Sequence, residues 1–281
     1  MSVDVSPFEL AAAARDAPLR TEGVARLKVE RIAGDSIAMD LDEQGPLRLR
    51  FPRVRASDAL EAVIVNTGGG VVGGDRLTFE IGAGAGSSVA VTSQAAEKIY
   101  RSSGAEASIA VRLFAEKRAQ IMWLPQETIL FDRARVYRSI DAEAAADASL
   151  TICEAVVFGR AAMGEQIAAG MMKDRWRVRR SGKLVFADAF ALDGAIGKIL
   201  HGPAIARGAV AVATLVHLAP EAEHKVEAFR QIQMPHVEAG ASAFDGLLVA
   251  RFVAAGAMEL RAAILAALDA IGMNAPSAFS L

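Results

Sequence analysis

Period-two alternation of apolar and polar residues runs through most of the interior of this chain and leaves few folds open to it. Val210, Val212, Thr214, Val216 and Leu218 form one long alternating run. Ile109, Val111 and Leu113 interleave with Ser108, Ala110 and Arg112, and Leu150 and Ile152 followed by Val156 and Phe158 read as further strand. Successive strand side chains point to opposite faces, so each run predicts a strand with one buried face. Trp176 and Val178 alternate with arginines and lead through Ser181-Gly182 into Leu184 and Phe186, which predicts a hairpin over 174–188. Turn signals recur at short intervals, among them Gly34-Asp35, Gly45-Pro46, Ser103-Gly104 and Gly202-Pro203. Many short strands with regular punctuation argue for a mainly β, layered or barrel-like body.

Two late segments break the rhythm. Pro220 to Gln231 opens with proline and acids and places Val226 and Phe229 on one face, which predicts a short helix. Ala257 to Ile271 carries Leu260, Ile264, Leu268 and Ile271 at helical spacing, with Gly272 as a stop. No composition shift divides the chain, so it reads as one domain over 1–281, with 1–20 and 274–281 expected to fray.

Composition then excludes classes of function. Lys plus Arg is 31 against 33 for Asp plus Glu, a net charge of −2 that favours neither nucleic acid nor an anionic membrane. The single cysteine, Cys153, permits no internal disulfide, and no apolar run reaches membrane-span length. A soluble cytoplasmic protein is expected. The histidines, His201, His217, His224 and His236, show no spacing typical of a transition-metal site. No tightly bound cofactor is expected.

One stretch suggests an enzyme. Gly68-Gly69-Gly70-Val71-Val72-Gly73 satisfies G-x-G-x-x-G after the apolar run Ala62–Val65. That motif binds pyrophosphate only where a helix begins directly after it. Here Leu77, Phe79 and Ile81 alternate with Arg76, Thr78 and Glu80, which predicts a strand. No Gly-Lys-Ser/Thr follows the glycines, so a P-loop fails too. Gly68, Gly69, Gly70, Gly73 and Gly74 are therefore read as a structural corner, with Asp75 an acid beside it. A nucleotide-binding enzyme using Gly68–Gly73 is the alternative.

Other polar groups could carry function. Ser93 and Gln94 begin a dense polar stretch, Ser93 to Ser102, that fits a buried network or a solvated strand edge equally well. Glu127 sits among large apolar residues, with an outward orientation as the default. Glu154 lies mid-strand, Glu165 follows Gly159-Arg160, and Arg160 is the candidate to neutralise one of these acids. Arg175, Arg177, Arg179, Arg180 and Lys183 make a basic stripe on the hairpin, either solvated or facing an acidic partner.

Four blocks in order resemble the urease accessory protein UreD (UreH) family. They are Asn66-Thr67-Gly68-Gly69-Gly70 with Gly73-Gly74-Asp75, Thr92 to Ser102, Leu124 to Phe131, and Gly159 to Glu165. The resemblance implies stacked β-sheets in a β-helix-like arrangement with two α-helices near the C-terminus. It implies a maturation factor, not an enzyme, that binds urease apoprotein, UreF and UreG and assists nickel delivery to the urease active site. UreG supplies the GTP hydrolysis in that scheme. The positions in or near matching blocks that would line a polar interior or a transient nickel route are Asp75, Ser93, Gln94, Glu127, Glu154 and Glu165. A scaffold of this kind needs an exposed apolar patch, for which Met258, Leu260, Ile264 and Leu265 are the candidates.

Overall fold

The computed structural model of the chain describes residues 20–53, 59–160 and 164–279. The alternating runs are strands. In chain order the first are β1 (Glu22–Ile32), β2 (Asp35–Gln44), β3 (Leu47–Arg50), β4 (Leu60–Asn66), β5 (Arg76–Ala83), β6 (Ser88–Ser93) and β7 (Glu97–Ile99). Next come β8 (Ala107–Ala115), β9 (Gln120–Trp123), β10 (Thr128–Leu130), β11 (Arg135–Ala144), β12 (Ser149–Phe158), β13 (Gly170–Arg180) and β14 (Lys183–Gly194). A short helix α1 (Ile196–Leu200) precedes β15 (Ala211–Leu218). A 3₁₀ turn (Ala222–Lys225) leads into α2 (Val226–Arg230), and β16 (Val237–Phe244), β17 (Leu247–Ala254) and α3 (Ala257–Ala270) complete the order.

The strands form two sheets. One runs β14-β13-β11-β8-β5-β1-β2, and the other runs β16-β17-β15-β12-β9-β6-β4-β3 with β10 and β7 attached beside β12. Between β4 and β13 the chain winds from one sheet to the other and back. Successive turns therefore pair in parallel: β5, β8, β11 and β13 on one side, and β4, β6, β9 and β12 on the other. This is the β-helix-like stack that the resemblance implies. Its corners stack as well: Val71, Ile99, Leu130 and Phe158 pair in succession and are all 3% exposed or less. Antiparallel strands close the ends, including the expected hairpin of β13 and β14 through Ser181 and Gly182.

Gly70 shows why the corner needs glycine. Its φ is +146°, and a Cβ there would lie 2.4 Å from the Tyr100 ring and 2.9 Å from the Lys98 carbonyl oxygen. Lys98 O accepts the Val71 N–H at 2.8 Å, so the backbones of neighbouring turns touch at this point. A side chain would hold them apart.

Two cores result. The first fills the space between the sheets and includes Leu27, Leu77, Val111, Ile140, Ile152, Trp176 and Val216. The second lies on the outer face of the β12–β15–β17 sheet, where α3, Phe229 and the C-terminal segment cover Met122, Cys153, Leu215 and Phe252. Strand β12 lies between the two cores, and every residue from Leu150 to Phe158 is buried. Burial on both faces explains its nearly continuous apolar run.

Three expectations are corrected here. Leu260 and Ile264 are 0% and 1% exposed, because they form the face that α3 lays on the second core; they are not available to a partner. Met258 is 83% exposed and Leu265 is half-buried. The segment from Asn274 to Phe279 is docked and does not fray: Phe279 is 2% exposed, and the Ser277 N–H and hydroxyl donate to the Glu61 carboxylate. A third helix, α1, occupies a region where the sequence offers only turn signals. The expected fraying of 1–20 falls almost entirely outside the described residues.

Among the described residues the sheet containing β5 ends at β2, an edge strand with Ile37, Met39 and Leu41 exposed at 42%, 54% and 44%.

Candidate functional site

The polar centre of the molecule is built by three strands. Alternation along β11 turns Val136, Arg138 and Ile140 inward, so an arginine stands where an apolar residue is the rule. Parallel register places Asp174 of β13 directly beside Arg138. Glu154 of β12 meets them from the opposite sheet, because Cys153 before it faces the helix-covered core. Arg138 donates to Glu154 through Nη1 and to Asp174 through Nη2, the latter at 2.5 Å. It also reaches Thr128 Oγ1 at 3.3 Å, and Trp123 Nε1 donates to Glu154 Oε1 at 2.7 Å. All three charged side chains are at most 8% exposed.

Electrostatics follow from that burial. Burial alone would discharge Arg138, but Asp174 and Glu154 outweigh it and hold the guanidinium firmly protonated. Burial pushes the Glu154 carboxyl above its ordinary value against the pull of Arg138. One cation between two carboxylates leaves an excess negative charge in a dry interior, and a proton on Glu154 is one way to relieve it.

Cavities flank this cluster. A space of about 330 Å³ is bounded by Arg138, Glu154, Asp174, Trp176, Asp188 and Arg251. A smaller one of about 50 Å³ shares Arg138 and Glu154 and extends to Ser93, Glu97, Trp123 and Gln126. Glu97 accepts hydrogen bonds from Asn66 Nδ2, at 3.0 and 3.2 Å, and burial raises its carboxyl above the ordinary value. Beyond Glu97 a third space of about 100 Å³ lies against Gly69, Gly70 and Gln94. Polar groups thus recur from the glycine corner through Ser93, Glu97 and Glu154 to Asp174 and Asp188.

Of the polar residues singled out from sequence, Ser93 and Glu154 share the small cavity. Ser93 Oγ accepts the Gln126 N–H at 2.9 Å and donates to Ala95 O. The others lie elsewhere. Asp75 is 4% exposed and pins the glycine corner, accepting N–H bonds from Thr21 at 2.8 Å and Val72 at 2.9 Å. Gln94 is exposed, so it is not an interior residue. Glu127 is 5% exposed, contrary to the outward default: Arg261 of α3 takes it bidentately at 3.0 and 2.7 Å, which removes the reason for it to face water. Glu165 pairs with Arg160, as that arginine's position suggests, and accepts the Asp132 N–H at 3.1 Å. The partner of Glu154 is Arg138, 16 residues upstream, and not Arg160.

The sequence pattern alone does not single out Arg138 and Asp174. Each is a charged residue at an inward position of an alternating strand, and that parity is the available signal. The two are 36 residues apart, so their meeting depends on register.

Gly68, Gly69, Gly70, Gly73 and Gly74 all lie in the turn joining β4 to β5, and β5 is a strand. No helix follows to aim N–H groups at a phosphate. Among the described residues no group of three or more His, Cys, Asp or Glu could hold a metal ion, and no helix is long and apolar enough to cross a membrane.

Comparison with known proteins agrees with this architecture over nearly its whole length. The family model described as UreD urease accessory protein matches residues 21–278. Urease accessory protein UreD 1 of Bradyrhizobium sp. (strain ORS 278) is 48% identical over 250 residues, 89% of each chain. Urease accessory protein UreD of Methylobacterium sp. (strain 4-46) is 49% identical over 251 residues, 87% of this chain and 89% of its own. Urease accessory protein UreD of Rhodopseudomonas palustris (strain BisB18) is 46% identical over 265 residues, 94% of this chain and 95% of its own. From the glycine corner to the docked C-terminal segment, this chain belongs to the UreD urease accessory protein family.

Proposed function

We propose that the chain is a maturation factor for urease and not an enzyme: a cytoplasmic scaffold that binds urease apoprotein together with UreF and UreG and assists nickel delivery to the urease active site. The observation that carries this reading is the extent of the family match, which takes in both sheets, all three helices and the docked C-terminal segment. The chemistry of the interior supports a transient role with nickel as cargo. Its donors are carboxylates and hydroxyls, which hold a first-row cation less tightly than thiolate or imidazole cages and so release it. Ser93 and Glu154 remain candidates for such a route, and Asp174 and Glu97 join them. Asp75, Glu127 and Glu165 line neither of the cavities beside Arg138, and their backbone or arginine partners hold the fold together. Met258 is the best remaining contact candidate on α3, with Leu265 beside it.

The enzyme alternative rests on a nucleotide at Gly68–Gly73, and the strand at Arg76–Ala83 removes the anion site it needs. GTP hydrolysis in this scheme belongs to UreG. The test is a pull-down of the purified chain with UreF and, separately, with urease apoprotein, paired with urease activity in cells lacking the chain. Capture of both partners and loss of active urease are expected; a chain that binds neither ends the reading.

A further inference from the structure

The turns that carry the chain from β5 to β6 and from β8 to β9 stack on each other. In the first, the Ser87 N–H donates to Gly84 O at 3.0 Å; in the second, the Ala119 N–H donates to Glu116 O at 2.9 Å. The Gly86 N–H donates to Lys117 O at 2.9 Å and joins the two. The third residue of each turn is left-handed, with φ +71° at Gly86 and +55° at Arg118. Glycine takes that backbone freely, whereas arginine takes it at a cost. Strain of this kind persists where the placement of the side chain matters.

Arg118 lies on the wall of a cavity of about 330 Å³, together with Arg31 of β1 and with Asn274 just past α3. Among the described residues that line it, these two arginines are the charged ones, and no carboxylate joins them. In β1, β3, β5 and β8, Arg26, Arg48, Arg50, Arg76 and Arg112 each stand within 4.0 Å of a carboxylate. Arg31 and Arg118 differ: among the described residues neither side chain has an ion pair or a hydrogen bond. Asp147 of the next turn takes the Arg118 backbone N–H at 3.2 Å and does not line the cavity. The side chains of Ser88, Ser149 and Asn274 are on the wall too, and among the described residues they also make no hydrogen bond. Val89, Ile121 and Met122 add an apolar side.

This lining selects a kind of ligand. A cleft of one charge sign concentrates ions of the other sign. Guanidinium forks match the oxygens of phosphate and carboxylate. A phosphate monoester carries a charge of about −1.5 to −2 at neutral pH, which two guanidiniums neutralise, whereas a carboxylate carries half of that. The volume reaches the lower end of small-molecule pockets, about 300 Å³, so it holds more than a bare ion. We propose that this cavity binds a small organic phosphate, with Arg31 and Arg118 taking its oxygens and the apolar side taking its carbon skeleton. The site goes beyond the scaffold reading and does not depend on it.

The full-length chain is titrated calorimetrically with phenyl phosphate and, separately, with benzoate. Wild type is expected to bind phenyl phosphate with a Kd below about 1 mM and benzoate at least about tenfold more weakly. R31M and R118G should each weaken phenyl phosphate at least about tenfold. R118G should also melt no lower than wild type, because glycine releases the left-handed strain. R177M removes an exposed arginine outside the cavity and is the control for diffuse attraction; it should leave binding unchanged. Folded wild type that does not bind phenyl phosphate, benzoate held as tightly, or a loss in R177M equal to that in R31M and R118G overturns the proposal. A failed pull-down with UreF or urease would leave this site standing, and a failed titration would leave the scaffold standing.

Discussion

Alanine at Gly70 separates a packing role for the glycine corner from a ligand role. The new Cβ would meet the Tyr100 ring at 2.4 Å and the Lys98 carbonyl at 2.9 Å. The ring can rotate away, but the carbonyl already accepts the Val71 N–H and cannot move without opening the corner. The φ of +146° adds backbone strain of about 1–3 kcal/mol, and the overpacking adds about 1–3 kcal/mol more. G70A is therefore expected to cost about 2–6 kcal/mol. Gly69 is the control: its φ is +76°, but nothing lies within 4 Å of the place a Cβ would take, so G69A meets strain alone, about 1–2 kcal/mol. Urea denaturation followed by far-UV circular dichroism measures both. Adding Y100A to G70A removes the nearer clash and leaves the carbonyl, so the double variant should be less destabilised than the sum of the singles by at least about 1 kcal/mol. Equal costs for G69A and G70A, or strict additivity with Y100A, would refute the packing role.

Three further outcomes are expected. R261M leaves Glu127 buried without its partner; because Arg261 is itself 30% exposed, the cost should be about 2–3 kcal/mol in chemical denaturation, with R261M/E127M recovering most of it. His217 is held neutral, with its pKa lowered to about 4 by burial and by Lys225, beside the Thr151 hydroxyl at 2.9 Å. The unfolded chain takes up that proton first as pH falls through 6.5. Stability is therefore present above 6.5 and lost toward 4, by about 2 kcal/mol at pH 5, and an H217F variant should lack this part of the slope between pH 7.5 and 5. F279A empties a buried site in the second core and is expected to cost about 3 kcal/mol, read as a lower melting temperature and as faster proteolytic trimming of the C-terminal segment.

What the sequence disclosed follows from how local each signal is. The strand after the triple glycine, the β13–β14 hairpin and the span of α3 are set by alternation, a turn dipeptide and helical spacing, all within some fifteen residues. The direction in which a face looks is not local. Leu260 and Ile264 mark an apolar face of α3, but only the fold reveals that β12, β15 and β17 lie beneath it. Strand β12 misleads for the same reason, since burial on both sides erases the alternation that would assign Glu154 to the interior. Arg138 and Asp174 become neighbours through ten residues of parallel register. No pattern within either strand encodes that pairing. Helix α1, at five residues, is too short to show a period. Glu127 defeats a local reading because its counter-ion arrives from a helix 134 residues later.

Strand β2 has a consequence for the life of this chain outside its working context. Among the described residues its outward backbone groups have no neighbour in the sheet, and Ile37, Met39 and Leu41 offer side chains that water does not favour. Such a rim templates the addition of another strand, including one from an identical molecule. Freshly made copies produced in isolation should clump along this rim, whereas charged residues introduced there, such as Met39→Lys, should keep them dispersed.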